Sequence, residues 1–430
     1  MTCARAVVSG KTVTDFSFVI DGERIAESGT DFPRLPSSEM SVRDYGPEVV
    51  VIPGLVNGHS HAYQILLRGW ADDLPFSTWR SEALYRVIPS LTAEEIYWVF
   101  TAAFSEMLAS GITTVAEFFY LNGSGNARAE AAIAAARDCG IRLVLARTWM
   151  DAPEAPEAFR ESIPLAAQRT AELLEGFPAA NVCVAPHSLH AASQDMIVAA
   201  HAFAVDRDCA MHIHLAEAPY EAAQVRERFG TTPLRLLDRW GVLDERTVAI
   251  HAIYLDDEER DMLARAGARV VHNPSTNQYL GDGICDVAGL LRRNVCVGLG
   301  TDADVKPSIV EEMRGAAFLQ KLAALDGSAL GARAAFDMGT MLGARAIGIS
   351  SGDFQPGLFA DYTVLDASAI DPWSPEINAI VYRGESSWVR ETHVGGRPVY
   401  NGSRSARARD AAAYLGALAP RLLLGDRENR

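Results

Sequence analysis

Apolar residues recur along this chain in two rhythms. Eight short apolar or β-branched runs lie at 49–52, 113–116, 142–145, 182–185, 210–213, 248–250, 270–271 and 295–299. Between them are stretches whose apolar positions repeat at three and four, as at 93–109 and 127–136, which is the spacing of a helix with one buried face. Strand alternating with helix predicts a parallel sheet, and eight such runs predict a (β/α)8 barrel of the TIM type, an α/β fold.

At both ends the rhythm changes to alternation. Residues 14–20, a turn at Asp21 and Gly22, and residues 24–26 predict a hairpin. Residues 360–365, 379–382 and 391–400 predict further strands. The two β-rich ends are expected to pair into one small β-sandwich beside the barrel. The chain then divides into 1–54 and 355–402 for the sandwich, 55–354 for the barrel, and a tail, 403–430, whose Ala/Leu-rich part predicts a terminal helix.

Composition narrows the function classes. With 430 residues, 49% apolar and 22% charged, the chain can bury a large core, and intrinsic disorder is excluded. Thirty-nine basic against 55 acidic residues leave a net charge of -16, a field that repels nucleic acid and anionic membrane. No apolar run reaches the roughly 18 residues of a membrane span, and the first residues lack the pattern of a signal peptide. A cytoplasmic protein is expected. Six scattered cysteines without a CxxC pair point to neither a disulfide scaffold nor a zinc finger.

Active sites of such barrels sit where the strands end, and there the polar residues cluster. The first run is followed by PGLVNGHSH at 53–61, and residues two apart in an extended chain share a face, so His59 and His61 point at one spot. The fifth run leads into His212, His214 and Glu217, the sixth ends at His251, and the eighth leads into Asp302. His59, His61, His214 and Asp302 offer three nitrogens and one oxygen to a borderline cation such as zinc, with iron as the alternative. Glu217 and His251 are left as proton carriers. His212 shares the face of His214 one layer deeper and reads as a supporting residue, as does Glu117 inside an apolar strand. His272 ends the seventh run beside an Asn-Pro-Ser turn, and His201 and His393 have no motif around them.

These motifs resemble the amidohydrolase superfamily, in the branch of chlorohydrolases and deaminases. The resemblance rests on PGLVNGHSH at 53–61, LRGWADDLP at 67–75, HLAE at 214–217 and GLGTD at 298–302, and it extends from about 49 to 402. It implies a metal-bearing barrel with a side sandwich, ligands His59, His61, His214 and Asp302, and proton transfer by Glu217, His251 and Asp302. Superfamily members with two metals carry a bridging lysine at the end of the fourth strand. Here that strand runs into APHSLH at 185–190, and the only lysines are Lys11, Lys306 and Lys321, so one divalent ion is implied. Relatives of this branch are commonly homodimers, and the 93–109 helix is a candidate interface.

Within the branch the chain resembles formimidoylglutamate deiminase in HSHAYQ at 59–64, TWR at 78–80, LYR at 84–86, AEFFY at 116–120, LGDGI at 280–284 and IVEEMR at 309–314. That likeness implies a substrate pocket lined by Gln64, Arg80, Tyr120 and His187, with Arg80 holding a carboxylate in its planar fork. His190 stands in the pocket where that enzyme has a second arginine. The expected activity is release of ammonia from an amidine-type carbon of a small nitrogenous molecule, formimidoylglutamate-like compounds foremost. RGWADDLP at 68–75 looks instead like deaminases of purine nucleosides, pterins and triazines, so a heterocycle deaminase is the first alternative. An amide or lactam hydrolase uses the same attack on a trigonal carbon, and a non-catalytic scaffold is expected to have lost ligands that this chain retains.

Overall fold

Sixteen strands sort into two sheets of eight in the computed structural model, which describes residues 1–30, 41–70, 72–123, 125–153 and 155–424. Ala71 of the 67–75 motif and residues 425–430 of the tail lie outside the described residues. The strands are β1 (Thr2–Val8), β2 (Lys11–Asp21), β3 (Arg24–Gly29), β4 (Asp44–Tyr45), β5 (Val49–Pro53), β6 (Leu55–Ser60), β7 (Ile112–Phe119) and β8 (Arg142–Trp149). There follow β9 (Cys183–Pro186), β10 (Met211–Leu215), β11 (Thr247–His251), β12 (Arg269–His272), β13 (Cys296–Leu299), β14 (Tyr362–Asp366), β15 (Val389–Val394) and β16 (Arg397–Tyr400).

Strands β6 to β13 pair in sequence order, all parallel, and form the barrel wall, with the helical segments between them outside. Between β6 and β13 the barrel closes through a parallel bridge of Ser60 with Asp302. Backbone bonds from Thr301 and Asp302 to the His59 carbonyl, each 3.0 Å, and from the His61 amide to the Asp302 carbonyl, 2.8 Å, complete the seam. A side chain at Gly300 would put its Cβ 2.8 Å from the Cβ and the backbone nitrogen of His59. Only glycine lets the eighth strand approach the first so closely.

Both chain ends meet in the second sheet, ordered β16-β15-β14-β5-β1-β2-β3 with β4 beside β1. Its outer face has its own core around Phe16, Phe18, Phe354 and Tyr362.

Three expectations need correction. Residues 49–52 are not the first barrel strand: β5 pairs with β14 from Pro53 to Val49 and with β1 at Ala6. Val50 and Ile52 face the barrel core while Val49 and Val51 face the core of the second sheet. A strand buried on both faces reads as a continuous apolar run whichever sheet holds it, and the first barrel strand is β6. Residues 379–382 lie in the helix Glu376–Arg383, which buries Ile377, Ile380 and Val381 at helical spacing; four apolar residues in a row do not separate strand from helix. Residues 391–400 are not one strand but the hairpin of β15 and β16, turning at Gly395 and Gly396 with φ of 55° and 76°.

The 93–109 helix is Ala93–Ala109, opened by a capping box between Thr92 and Glu95. Helix Ala406–Leu424 packs on it, with Trp98 and Tyr414 stacked at 5.6 Å and Arg421 paired to Glu95. The chain's own tail thus covers part of the surface expected to serve a dimer.

Candidate metal centre

Four of the eight barrel strands carry the chemistry at their ends. Strand β6 supplies His59 and, one residue beyond its end, His61; β10 supplies His214 and the following Glu217; β11 ends in His251; the turn after β13 supplies Asp302. The ligand atoms of His59, His61, His214 and Asp302 lie within 4.8 Å of one another, and all four side chains are buried. His59 and His61 Nε2 stand 3.2 and 3.4 Å from Asp302 Oδ1, and His214 Nε2 is 3.2 Å from His59 Nε2. A tetrahedral ion with bonds of about 2.0–2.1 Å holds its ligand atoms about 3.3 Å apart. The spacing therefore fits one small divalent cation.

The hydrogen bonds behind the ligands fit as well. His61 Nδ1 donates to the Phe118 carbonyl and His214 Nδ1 to the His187 carbonyl, each at 3.0 Å. With the proton fixed on Nδ1, the Nε2 lone pair faces the site, as ligation requires. Burial pushes the imidazoles towards the neutral form: His61 falls to about 3, His214 goes well below its ordinary value, and His59 also falls. Burial alone would raise Asp302, but the bond to His59 and the field of His251 and its neighbours hold it below the usual carboxylate range.

Glu217 and His251 stand beside this group. His251 Nε2 is 3.6 Å from Asp302 Oδ2 and 3.7 Å from Glu217 Oε1, while its Nδ1 is held at 3.0 Å by Asn277 Oδ1. Burial pushes the Glu217 carboxyl up to about 8, Asp302 adding to the shift and Arg80 opposing it. Among these carboxylates one is therefore kept ionised and its neighbour kept protonated near neutral pH.

A cavity of about 60 Å³ opens onto the centre, lined by His61, Gln64, Arg80, Tyr120, His187, His190, His214, Glu217 and Asp302 among others. Nine of the eleven residues named from the sequence thus share one wall, with His59 and His251 directly beneath. Gln64 Nε2 lies 3.4 Å from the Tyr120 hydroxyl, and His187 Nδ1 2.9 Å from Ser188 Oγ. Arg80 lies over the rings of Phe76 and Tyr85, each at 5.5 Å, and no carboxylate pairs with it among the described residues. The ring of His190 faces His187 at 5.8 Å and Tyr220 at 6.2 Å. A wider groove of about 790 Å³ on the barrel flank, lined by Arg137, Arg397, Arg404 and Arg407, contains none of these residues.

Sequence reasoning missed several parts of the site. Phe76, Phe159 and Tyr220 join Trp79 and Tyr85 of the 78–80 and 84–86 motifs in making its walls aromatic; no spacing rule separates the first three from core. Glu117 accepts from the Ala62 amide at 2.9 Å, Glu221 from the Glu217 amide at 3.0 Å and Glu312 from the Ser275 amide at 2.9 Å. Glu117 thereby holds the segment just after His61, Glu221 the turn that carries Glu217, and Glu312 the start of the helix after β12. His212 and His272 are fully buried below the mouth and are not ligands. His201 pairs with Asp244, and His393 with Glu391 in the second sheet.

Comparison with known proteins agrees with this geometry. The Amidohydrolase family matches residues 50–399. A 5-methylthioadenosine/S-adenosylhomocysteine deaminase of Carboxydothermus hydrogenoformans is 31% identical over 389 residues, 88% of this chain and 87% of that protein. A 5'-deoxyadenosine deaminase of Methanothermobacter thermautotrophicus is 34% identical over 392 residues, 89% and 88% of the two chains. An adenosine deaminase from Xanthomonas campestris with bound zinc superposes with a TM-score of 0.88 at 26% identity, covering 99% of this chain and 98% of that one. The fold is also that of the zinc-bound atrazine chlorohydrolase of Arthrobacter aurescens, with a TM-score of 0.88 at 24% identity over 97% and 99% of the chains.

Proposed function

The chain belongs to the amidohydrolase family, and from that premise we propose that it is a metal-dependent deaminase of an adenosine-type heterocycle, releasing ammonia. It is a hydrolase of carbon–nitrogen bonds outside peptides, as its deaminase relatives are. The observation that carries the reading is the buried three-histidine, one-aspartate group with Glu217 and His251 beside it, 3.7 Å apart. The relatives favour this heterocycle reading over the formimidoylglutamate-like substrate expected first.

His59, His61, His214 and Asp302 would hold the ion, zinc by the company of a zinc-bound neighbour. When bound, it supplies Lewis acidity that makes hydroxide available near neutral pH. Asp302, ionised and facing His251, accepts the proton of the attacking water. Glu217, protonated, donates to the ring nitrogen as the trigonal carbon becomes tetrahedral; the proton taken by Asp302 then passes to the amino nitrogen, the C–N bond breaks to release ammonia, and the remaining hydroxyl proton returns to Glu217 as the carbonyl forms. His251, its Nδ1 tied to Asn277, keeps Nε2 between the two carboxylates and orients the nucleophile. Tyr120, Phe159 and Trp79 line the cavity and supply the aromatic surface on which a planar heterocycle would rest.

The cavity wall includes Phe76 and Trp79 of a short helix and Arg80 and Leu84 of the single π-helical turn that follows it. Such turns are frequent at functional sites.

A second reading, an acyclic formimidoyl compound with an acidic arm, is favoured by one observation: Arg80 lines the pocket and, among the described residues, no carboxylate pairs with it. Ammonia release by the zinc-loaded protein tests both, with adenosine-type compounds set against formimidoylglutamate and its mono-acid analogues. Turnover confined to the acyclic compounds would overturn the first reading.

A further inference from the structure

The seam that closes the barrel carries a second carboxylate that the chemistry above does not use. Asp304, two residues beyond Asp302, is fully buried and adopts a φ of 50°, in the left-handed region that aspartate enters more readily than most residues. Its Oδ2 accepts from Ser60 Oγ at 2.5 Å and its Oδ1 accepts from the Thr301 hydroxyl. Its backbone carbonyl accepts from Arg68 Nε at 2.8 Å.

The partners make the arrangement specific. Ser60 lies between His59 and His61, and Thr301 immediately precedes Asp302. One carboxylate therefore ties together the two chain segments that supply three of the four ligands. It does so where the barrel is closed by an isolated bridge rather than by a strand ladder. Asn57 Nδ2 donates to Thr301 Oγ1 at 2.7 Å, so the Thr301 proton is directed to Asp304. The Ser60 proton has the other carboxylate oxygen as its acceptor.

We propose that Asp304 is the positioning residue of the metal centre, setting the spacing of His59 and His61 against Asp302 by accepting both hydroxyls. The proposal rests on the reading of those residues as ligands. The two hydroxyl bonds to Asp304 add to the three backbone bonds of the seam and hold the ligand atoms near the separation a tetrahedral ion needs before any ion arrives. Without them the same ligands must be drawn together at the moment of binding, which lowers affinity.

The test uses Ser60→Ala and Asp304→Asn in the full-length chain. Ser60→Ala keeps the buried carboxylate and removes one tether, so it separates positioning from charge and guards against a fold failure in the aspartate variant. The readouts are zinc affinity by competition with a chromogenic chelator, the shift in Tm on zinc addition, and the visible bands of the cobalt(II) form, which follow ligand geometry. Both variants are expected to bind zinc about 10–100-fold more weakly, to gain less Tm on loading and to show altered cobalt bands. Wild-type affinity and bands, with only the metal-free Tm lowered, would overturn the proposal and leave Asp304 a stabilising group. A wild-type chain that binds no zinc would overturn the ligand assignment and this proposal together.

Discussion

Replacing Glu217 by Gln separates proton delivery from metal binding. The side chain is 15% exposed and lies outside the four-ligand group, 3.7 Å from His251 Nε2, so the ion should be retained. With its carboxyl raised to about 8, roughly nine in ten molecules carry the proton at pH 7. Gln keeps the shape and a hydrogen-bond donor but transfers no proton. The loss expected is that of one general acid, about 10²–10⁴-fold in kcat, which is about 3–5 kcal/mol of barrier. A group that must be protonated gives full activity below its pKa and none above it, so kcat/KM of the native enzyme should fall as pH rises through the Glu217 value. A bound dication favours the carboxylate and draws that limb below 8. The assay is ammonia release against pH, with metal content measured on the same samples. Activity near wild type in a metal-replete Gln variant, or an unchanged alkaline limb, refutes the assignment; loss of the metal refutes the separation of roles.

Other consequences follow from charges buried elsewhere. Arg147 and Glu161 are 0% and 1% exposed and pair at 2.8 Å, with Arg169 sharing the same carboxylate. Glu161→Gln leaves the buried guanidinium uncompensated and should destabilise by about 3–5 kcal/mol in urea unfolding; a loss under 1 kcal/mol would show the pair to be dispensable. Glu312, fully buried against Ser275, is raised to about 8. A raised carboxyl contributes stability that is complete below its unfolded value and lost as pH rises through the folded one. The Tm of the metal-free protein should therefore decline between about pH 4.5 and 8, and Glu312→Gln should flatten that decline. Arg80→Ala should lower kcat/KM for substrates bearing a carboxylate about 10–100-fold and leave neutral nucleosides little changed; equal losses for both would remove Arg80 from recognition of charge. His190→Arg should raise activity on formimidoylglutamate if the missing second guanidinium is what disfavours it, and an unchanged rate in a folded variant would place the barrier elsewhere.

The ligands are legible in the sequence because each sits at the end of a strand, and strand ends in a (β/α)8 barrel converge on one mouth. His59 and His61 are read from spacing alone; His214 and Asp302 are read once eight strands have been counted. The count reaches eight although one member is wrong, since β5 stands in for β6. The proline at 53 ends β5, and Gly54 lets the chain pass to the next sheet one residue later, a switch that leaves no polar marker. Asp304 is invisible for a different reason. Its role depends on hydroxyls 244 and three residues away, and no local pattern encodes a contact across the seam. The aromatic pocket wall is hidden in a similar way, since Phe159 reaches the cavity from a short helical turn, Glu157–Phe159, whose placement the sequence does not reveal.

The most direct measurement is ammonia release from adenosine-type substrates by protein carrying one zinc per chain, before chelation, after it, and after zinc is restored. Turnover is expected to disappear with the metal and return with it, and to stay absent in a zinc-loaded Glu217→Gln variant. Turnover that survives complete removal of the metal, or a zinc-loaded protein that releases no ammonia from any heterocycle, would contradict the proposed function.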